Sequence, residues 1–199
     1  MSRRSRIGLA VMAGALLGAN AAAAQQPAPP TRAALTEHVA DWPVAAREAA
    51  QAITEKYGPP LEMTESMVTW GPAGPWKRTV VYREEVPHDF PMAHTDVLEQ
   101  FIDYRVPVEL FDDLAEYDGS VIAERTKGEL SARCDIEGAN FLALNLAHEI
   151  VTGEISVEDA REKYLEQVRA MKAGEPAPYT EKLLFEPQTN TADPDKPIG

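Results

Sequence analysis

The chain has 199 residues, with 32 acidic against 19 basic side chains, a formal charge of −13 and a single cysteine. An acidic surface of that size repels phosphate backbones and no basic stripe offsets it, which argues against nucleic acid and anionic membranes as partners. One cysteine cannot form an internal disulfide, so the fold must be held by packing, a bound ligand or association.

Residues 1–24 read as a signal peptide of bacterial type. Arg3, Arg4 and Arg6 form a basic head, Ile7 to Leu17 an apolar run, and Ala22-Ala23-Ala24 a small-residue site that places cleavage before Gln25. The apolar run is shorter than the roughly 20 residues a spanning helix needs. Arg6 stands where a twin-arginine motif takes an apolar residue, which favours general secretion, and Cys134 lies too far downstream to carry a lipid anchor. The protein is expected to be exported, to a periplasm or the medium, with no membrane span after cleavage. Loss of three arginines and no acid makes the remainder still more negative, which keeps an exported protein soluble.

Residues 25–33 are Pro-rich and are expected to form a flexible leader to a single domain over 34–185. A short helical turn over Ala34 to Ala40 precedes a helix that Asp41-Trp42-Pro43 opens and Gly58-Pro59-Pro60 closes. Its expected inner stripe is Val44, Ala49, Ala52 and Ile53. Two-residue alternation predicts strands from Glu62 to Trp70 and from Trp76 to Glu84, joined as a hairpin through two glycines and two prolines. Trp70 and Trp76 flank that loop, with stacking across it an option and core packing the favoured use.

Val86 to Thr95 reads as irregular, and Asp96 to Val106 as a third strand. Pro107 opens a short helix with Val108, Phe111, Leu114 and Ala115 inward. Ser120 to Thr126 is a fourth strand and Glu129 to Arg133 a fifth or an extended lead-in. Asp135 caps the most apolar helix, Ile136 to Thr152, which is expected to be central. Ser156-Val157-Glu158-Asp159 starts a last helix to Lys172. Leu183, Leu184 and Phe185 are expected to dock back, and 186–199 to be disordered. This order predicts an α+β domain: a mostly antiparallel sheet of four to five strands with helices packed on one face.

Two constellations carry candidate chemistry. His88, His94 and Asp96 offer imidazole and carboxylate donors to a divalent metal on a loop stiffened by Pro87 and Pro91, although their spacing matches no standard zinc signature. Arg125, Arg133, Asn145 and His148 would form the polar floor of a binding pocket, or else the arginines would pair with Glu129 or Glu137 to hold strand to helix. Cys134 reads as a small buried apolar residue. Its pairing with His148 is excluded, because the two lie about 20 Å apart along one helical segment, while a pairing with His88 or His94 through folding stays open with no sequence feature pointing to it. No nucleophile elbow, phosphate loop, dinucleotide fingerprint or paired-histidine zinc motif is present. The leading expectation is a non-catalytic binding or interaction module for a ligand or envelope protein, marked by exposed aromatics around 70–76. The alternative is a metal-binding protein or metal-dependent hydrolase, marked by convergence of His88, His94 and Asp96.

Overall fold

Alternation of apolar and polar residues over two long segments builds the centre of the protein, the antiparallel pair β3 (Arg78–His88) and β4 (His94–Asp103). The computed structural model describes residues 30–191 and 195–199; the expected signal peptide, 1–24, and leader residues 25–29 lie outside the described residues. In the described part, β1 (Glu62–Met63) and β2 (Met67–Trp70) extend the sheet on one side of β3. On the other side of β4 follow β6 (Glu129–Cys134) and then β5 (Val121–Glu124). All neighbours are antiparallel, in the order β1-β2-β3-β4-β6-β5.

Helices α1 (Arg32–His38), α2 (Val44–Tyr57), α3 (Phe111–Tyr117), α4 (Glu137–Thr152) and α5 (Val157–Ala173) complete an α+β fold. Register places Val68, Trp70, Val81, Leu98, Gln100, Ile102, Leu130 and Ala132 on one face. There α2 covers β3 and β4 while α4 covers β4 and β6.

The sheet has six strands, one more than the upper expectation, because the run from Glu62 to Trp70 breaks in the middle. Thr64 Oγ1 accepts from Met67 N at 3.1 Å, and Thr64 N donates to Met67 O at 2.8 Å, so the polar stretch 64–66 turns β1 back on β2. The segment 86–95 also differs from its irregular reading. Only 89–93 is a loop, since β3 runs on through Pro87 to His88 and β4 begins at His94. Pro87 is tolerated there because β2 pairs with β3 only as far as Tyr82, which leaves the end of β3 a free edge.

Two apolar clusters fill the space under the helices. One joins Leu35, Trp42, Ala46, Ala49, Ala50 and Ile53 to Val68, Trp70 and Leu98. The other surrounds α4 and takes in Trp76, Ile102, Leu130, Leu142, Leu144 and Tyr164. The tryptophans are both buried but belong to different clusters, and Trp76 stacks on Phe141 at 4.8 Å instead of on Trp70. Val44, Ala52, Val108 and Ala115, expected inward, are exposed; Ala46, Ala50 and Tyr117 take the inner places. Ser156 caps α5 by accepting from Asp159 N at 3.1 Å, but Asp135 does not cap α4, whose N-cap is Ile136.

Two carboxylates, half-buried Glu137 and buried Glu129, pin the layers. Glu137 accepts from Trp76 Nε1 at 2.6 Å, Tyr57 Oη at 2.7 Å, Gln100 Nε2 at 3.1 Å and the Lys56 ammonium. Glu129 accepts both Arg78 nitrogens, at 2.8 and 2.7 Å, with Lys77 Nζ 3.0 Å away. The arginine pairings expected for these two glutamates are therefore taken by other cations.

The C-terminal stretch contains seated residues despite its composition. Phe185 stacks on His148 at 4.1 Å, Gln188 N donates to Asp103 O at 2.9 Å, and Thr191 is buried. Gly128, at φ +62°, admits this approach, since a Cβ there would stand 1.9 Å from Thr191 O. Among the described residues, no helix is long and apolar enough to cross a membrane.

Candidate metal centre

Antiparallel register assembles the cluster. His88 stands directly opposite His94, and Val86 opposite Asp96, so alternation brings His88, His94 and Asp96 to one side of the hairpin. One donor atom from each lies within 4.8 Å of the other two. The His rings are tilted with centroids 4.9 Å apart. His94 Nε2 is 3.1 Å from Asp96 Oδ1, and His88 Nδ1 is 3.5 Å from Asp96 Oδ2.

The outward nitrogens are oriented by acceptors. His94 Nδ1 lies 2.8 Å from Met92 O, so Nδ1 carries the proton and Nε2 faces the cluster. His88 Nε2 points to Asp118 Oδ1 at 3.7 Å, leaving Nδ1 inward. Asp118 is held in turn by Ser120 N, which donates to its Oδ1 at 2.8 Å, and the Ser120 hydroxyl donates to Asp96 Oδ2. Acceptors on the far side of each imidazole are what metal-binding histidines use to set ring orientation.

Asp96 is buried at 1% exposure, yet its Oδ1 has no hydrogen-bond partner, and neither has buried His88 Nδ1. The 3.1 Å approach of His94 to Asp96 is thus close but misaligned. Leaving buried polar atoms unpaired costs about 1–3 kcal/mol each, so a cluster that concentrates two of them is poised for a further ligand.

The electrostatics couple the imidazole of His94 to the carboxylate of Asp96. The Asp96 carboxylate, and after it the Cys134 sulfur, push the His94 imidazole up to about 11. Burial works to raise the Asp96 carboxyl, but the adjacent His94 imidazole and the bond from Ser120 outweigh it and hold the group below its ordinary value. Burial raises both Asp118 and the Cys134 thiol. Arg133 Nε stands 3.7 Å from Asp96 Oδ2.

The four residues expected to floor a pocket do not share one. Arg133 borders the metal cluster, and Arg125 pairs with Asp195. Asn145 donates to Tyr179 O at 3.0 Å and Lys182 O at 2.8 Å, and accepts from Leu184 N at 2.7 Å. His148 Nδ1 meets Tyr104 Oη at 2.7 Å beneath Phe185. Asn145 and His148 anchor the returning chain.

Sequence reasoning leaves a pairing of Cys134 with His88 or His94 open without favouring it, and passes over Asp118 and Ser120. Cys134 is buried, as expected of a small apolar residue, but its Sγ lies 3.3 Å from His94 Nε2. Asp118 read as a turn residue and Ser120 as the start of a strand. No local pattern marks any of the three, because pairing of β4 with β6 and the position of the turn before β5 bring them to the histidines.

Together these features define an α+β domain carrying a cluster of two half-buried histidines and a buried aspartate, with Met92, Asp118 and Ser120 around it. Comparisons with protein-family models, with curated proteins and with solved structures find no match for this chain.

Proposed function

We propose that this protein is an exported, non-catalytic binding protein for a divalent transition metal held by His88, His94 and Asp96. The observation that carries this reading is the convergence of three donors within 4.8 Å, two of them buried atoms without a hydrogen-bond partner. Two imidazole nitrogens and a carboxylate oxygen suit zinc and its first-row neighbours.

Binding is favoured over hydrolysis by space. The cleft beside the cluster, lined by His94, Cys134, Ile136, Tyr164 and Met171 among others, encloses about 80 Å³. Pockets for small-molecule substrates run to roughly 300–1,000 Å³. The interaction-platform alternative loses its expected mark, since Trp70 and Trp76 are buried. Export rests on the basic, apolar and small-residue regions of the first 24 residues.

The test is thermal. Zinc at a hundredfold excess over its dissociation constant stabilises a folded-state binder by about 2.7 kcal/mol. The melting temperature is expected to rise with zinc, to return with chelator, and to show no zinc response in His88→Ala or His94→Ala. A melting temperature indifferent to zinc, cobalt, copper and manganese would retire the proposal.

A further inference from the structure

The thiol of Cys134 sits at the end of β6, opposite Leu98 and so beside Asp96 on the same face of β4. Its Sγ is 3.3 Å from His94 Nε2 and 3.4 Å from Asp135 Oδ1. We propose that Cys134 supplies the fourth donor to the ion, making the centre a site of two histidines, one aspartate and one cysteine for a thiophilic ion of the zinc type. The inference rests on the metal reading above and deepens it by naming the class of ion.

Three observations converge on this assignment. The first is distance. A tetrahedral ion with bonds of about 2.0–2.1 Å to nitrogen, 2.0–2.2 Å to oxygen and 2.3 Å to sulfur separates its donors by about 3.3–3.6 Å. His94 Nε2 lies 3.1 Å from Asp96 Oδ1 and 3.3 Å from Cys134 Sγ, both close to tetrahedral edges, while His88 Nδ1 lies 3.5 Å from the other carboxylate oxygen, Oδ2. His88, His94 and Asp96 bring donors within 4.8 Å of one another, and Cys134 reaches this group through His94, so the thiol has to turn inward to join the ion.

The second observation is the unpartnered, buried Asp96 Oδ1, which points to a ligand independently of the cysteine. The third is charge and softness. Two neutral imidazoles, a carboxylate and a thiolate balance a dication, which suits a site withdrawn from water. Calcium asks for six to eight oxygen ligands and magnesium for near-octahedral oxygen and water; a donor set of two nitrogens, one carboxylate and one thiol serves neither. Coordination releases two protons to solvent, one from the thiol and one from His94 Nε2, forms one metal–sulfur bond and changes no oxidation state.

Cobalt(II) titrated into the purified protein reports the ligand set directly. A thiolate-to-cobalt charge-transfer band in the near ultraviolet is expected, together with strong visible ligand-field bands of a tetrahedral ion. In Cys134→Ser the charge-transfer band should vanish while weaker ligand-field absorption remains, and zinc affinity should fall by at least about 100-fold, more than loss of an outer-shell partner costs. The zinc-edge X-ray absorption spectrum of the unsubstituted protein reads the same bond without a variant that has to fold, and should show one sulfur at about 2.3 Å. If cobalt binds and depends on His88 but gives no sulfur band, and zinc sees only nitrogen and oxygen, Cys134 is not a ligand and the metal reading stands alone. If neither metal binds, the reading beneath the inference falls and takes it along.

Discussion

Asp96 occupies a demanding environment: a carboxylate at 1% exposure, with Oδ2 bonded by Ser120 and approached by His88, and Oδ1 beside His94 without an aligned hydrogen bond. Its neighbours divide into those that would touch an ion and those that orient them. Asp118 belongs to the second group, because it faces the outer nitrogen of His88. Replacing it as Asp118→Asn should weaken zinc binding by about 10- to 100-fold with the fold retained, the usual effect of removing an outer-shell carboxylate. Competition with a chromogenic chelator measures this, and unchanged affinity would remove Asp118 from the site.

At the same scale, Glu129 gives the fold a pH signature away from the metal cluster. Its bonds from Arg78, and then Lys77, overcome burial and draw its carboxyl from 4.5 down to about 2. A carboxyl depressed in the folded state stabilises above its unfolded value, and that contribution is lost as pH falls through the folded value. The window therefore runs from about pH 4.5 to pH 2, and the contribution is of order 3 kcal/mol at about 1.36 kcal/mol per pKa unit. Denaturant melts of the wild type should lose stability across that window more steeply than melts of Glu129→Gln.

The elements act as carriers of geometry. The β3–β4 hairpin matters beyond its share of the core, since its last cross-strand pair is His88 with His94. Helix α4 is tied to that sheet by Glu137 in its first turn, which joins Trp76, Tyr57, Gln100 and Lys56. In Glu137→Ala the buried Trp76 and Gln100 donors lose their acceptor together with half-buried Tyr57 and exposed Lys56. A loss of about 2–4 kcal/mol is expected from leaving two buried donors unpaired, and urea unfolding measures it. A loss below about 1 kcal/mol, the scale of a single ordinary hydrogen bond, would mean that the polar knot is not what docks α4.

Element positions were largely legible from periodicity and punctuation. The helices ending at Gly58, Gly153 and Gly174 are each followed by that glycine at positive φ, and Ser156 caps as its spacing with Asp159 indicates. What periodicity missed were interruptions of pairing: the Thr64 turn that splits one strand into two, and the run of β3 through Pro87 where β2 no longer pairs. Proline reads locally as a breaker; whether its missing N–H matters depends on what lies beside it in the sheet.

For the molecule as a whole, the acidic charge accords with the export proposed from the first 24 residues. The protein recovered from the periplasm or medium should begin at Gln25, which intact-mass measurement checks; a mass that includes Arg3, Arg4 and Arg6 would contradict cleavage at Ala24. Length, charge, fold class and helix positions were determined by the sequence itself, because they depend on composition and on contacts between near neighbours. The metal cluster is a mixed case. His88, His94 and Asp96 are close in sequence and were visible as candidate donors, but their convergence follows from strand register, since a slip of one residue would turn alternate side chains to the opposite face. Cys134 and Asp118 were decided by tertiary structure alone. Pairing of β4 with β6 brings a sulfur from 40 residues away to 3.3 Å from an imidazole, and a contact of that range leaves no trace in local periodicity.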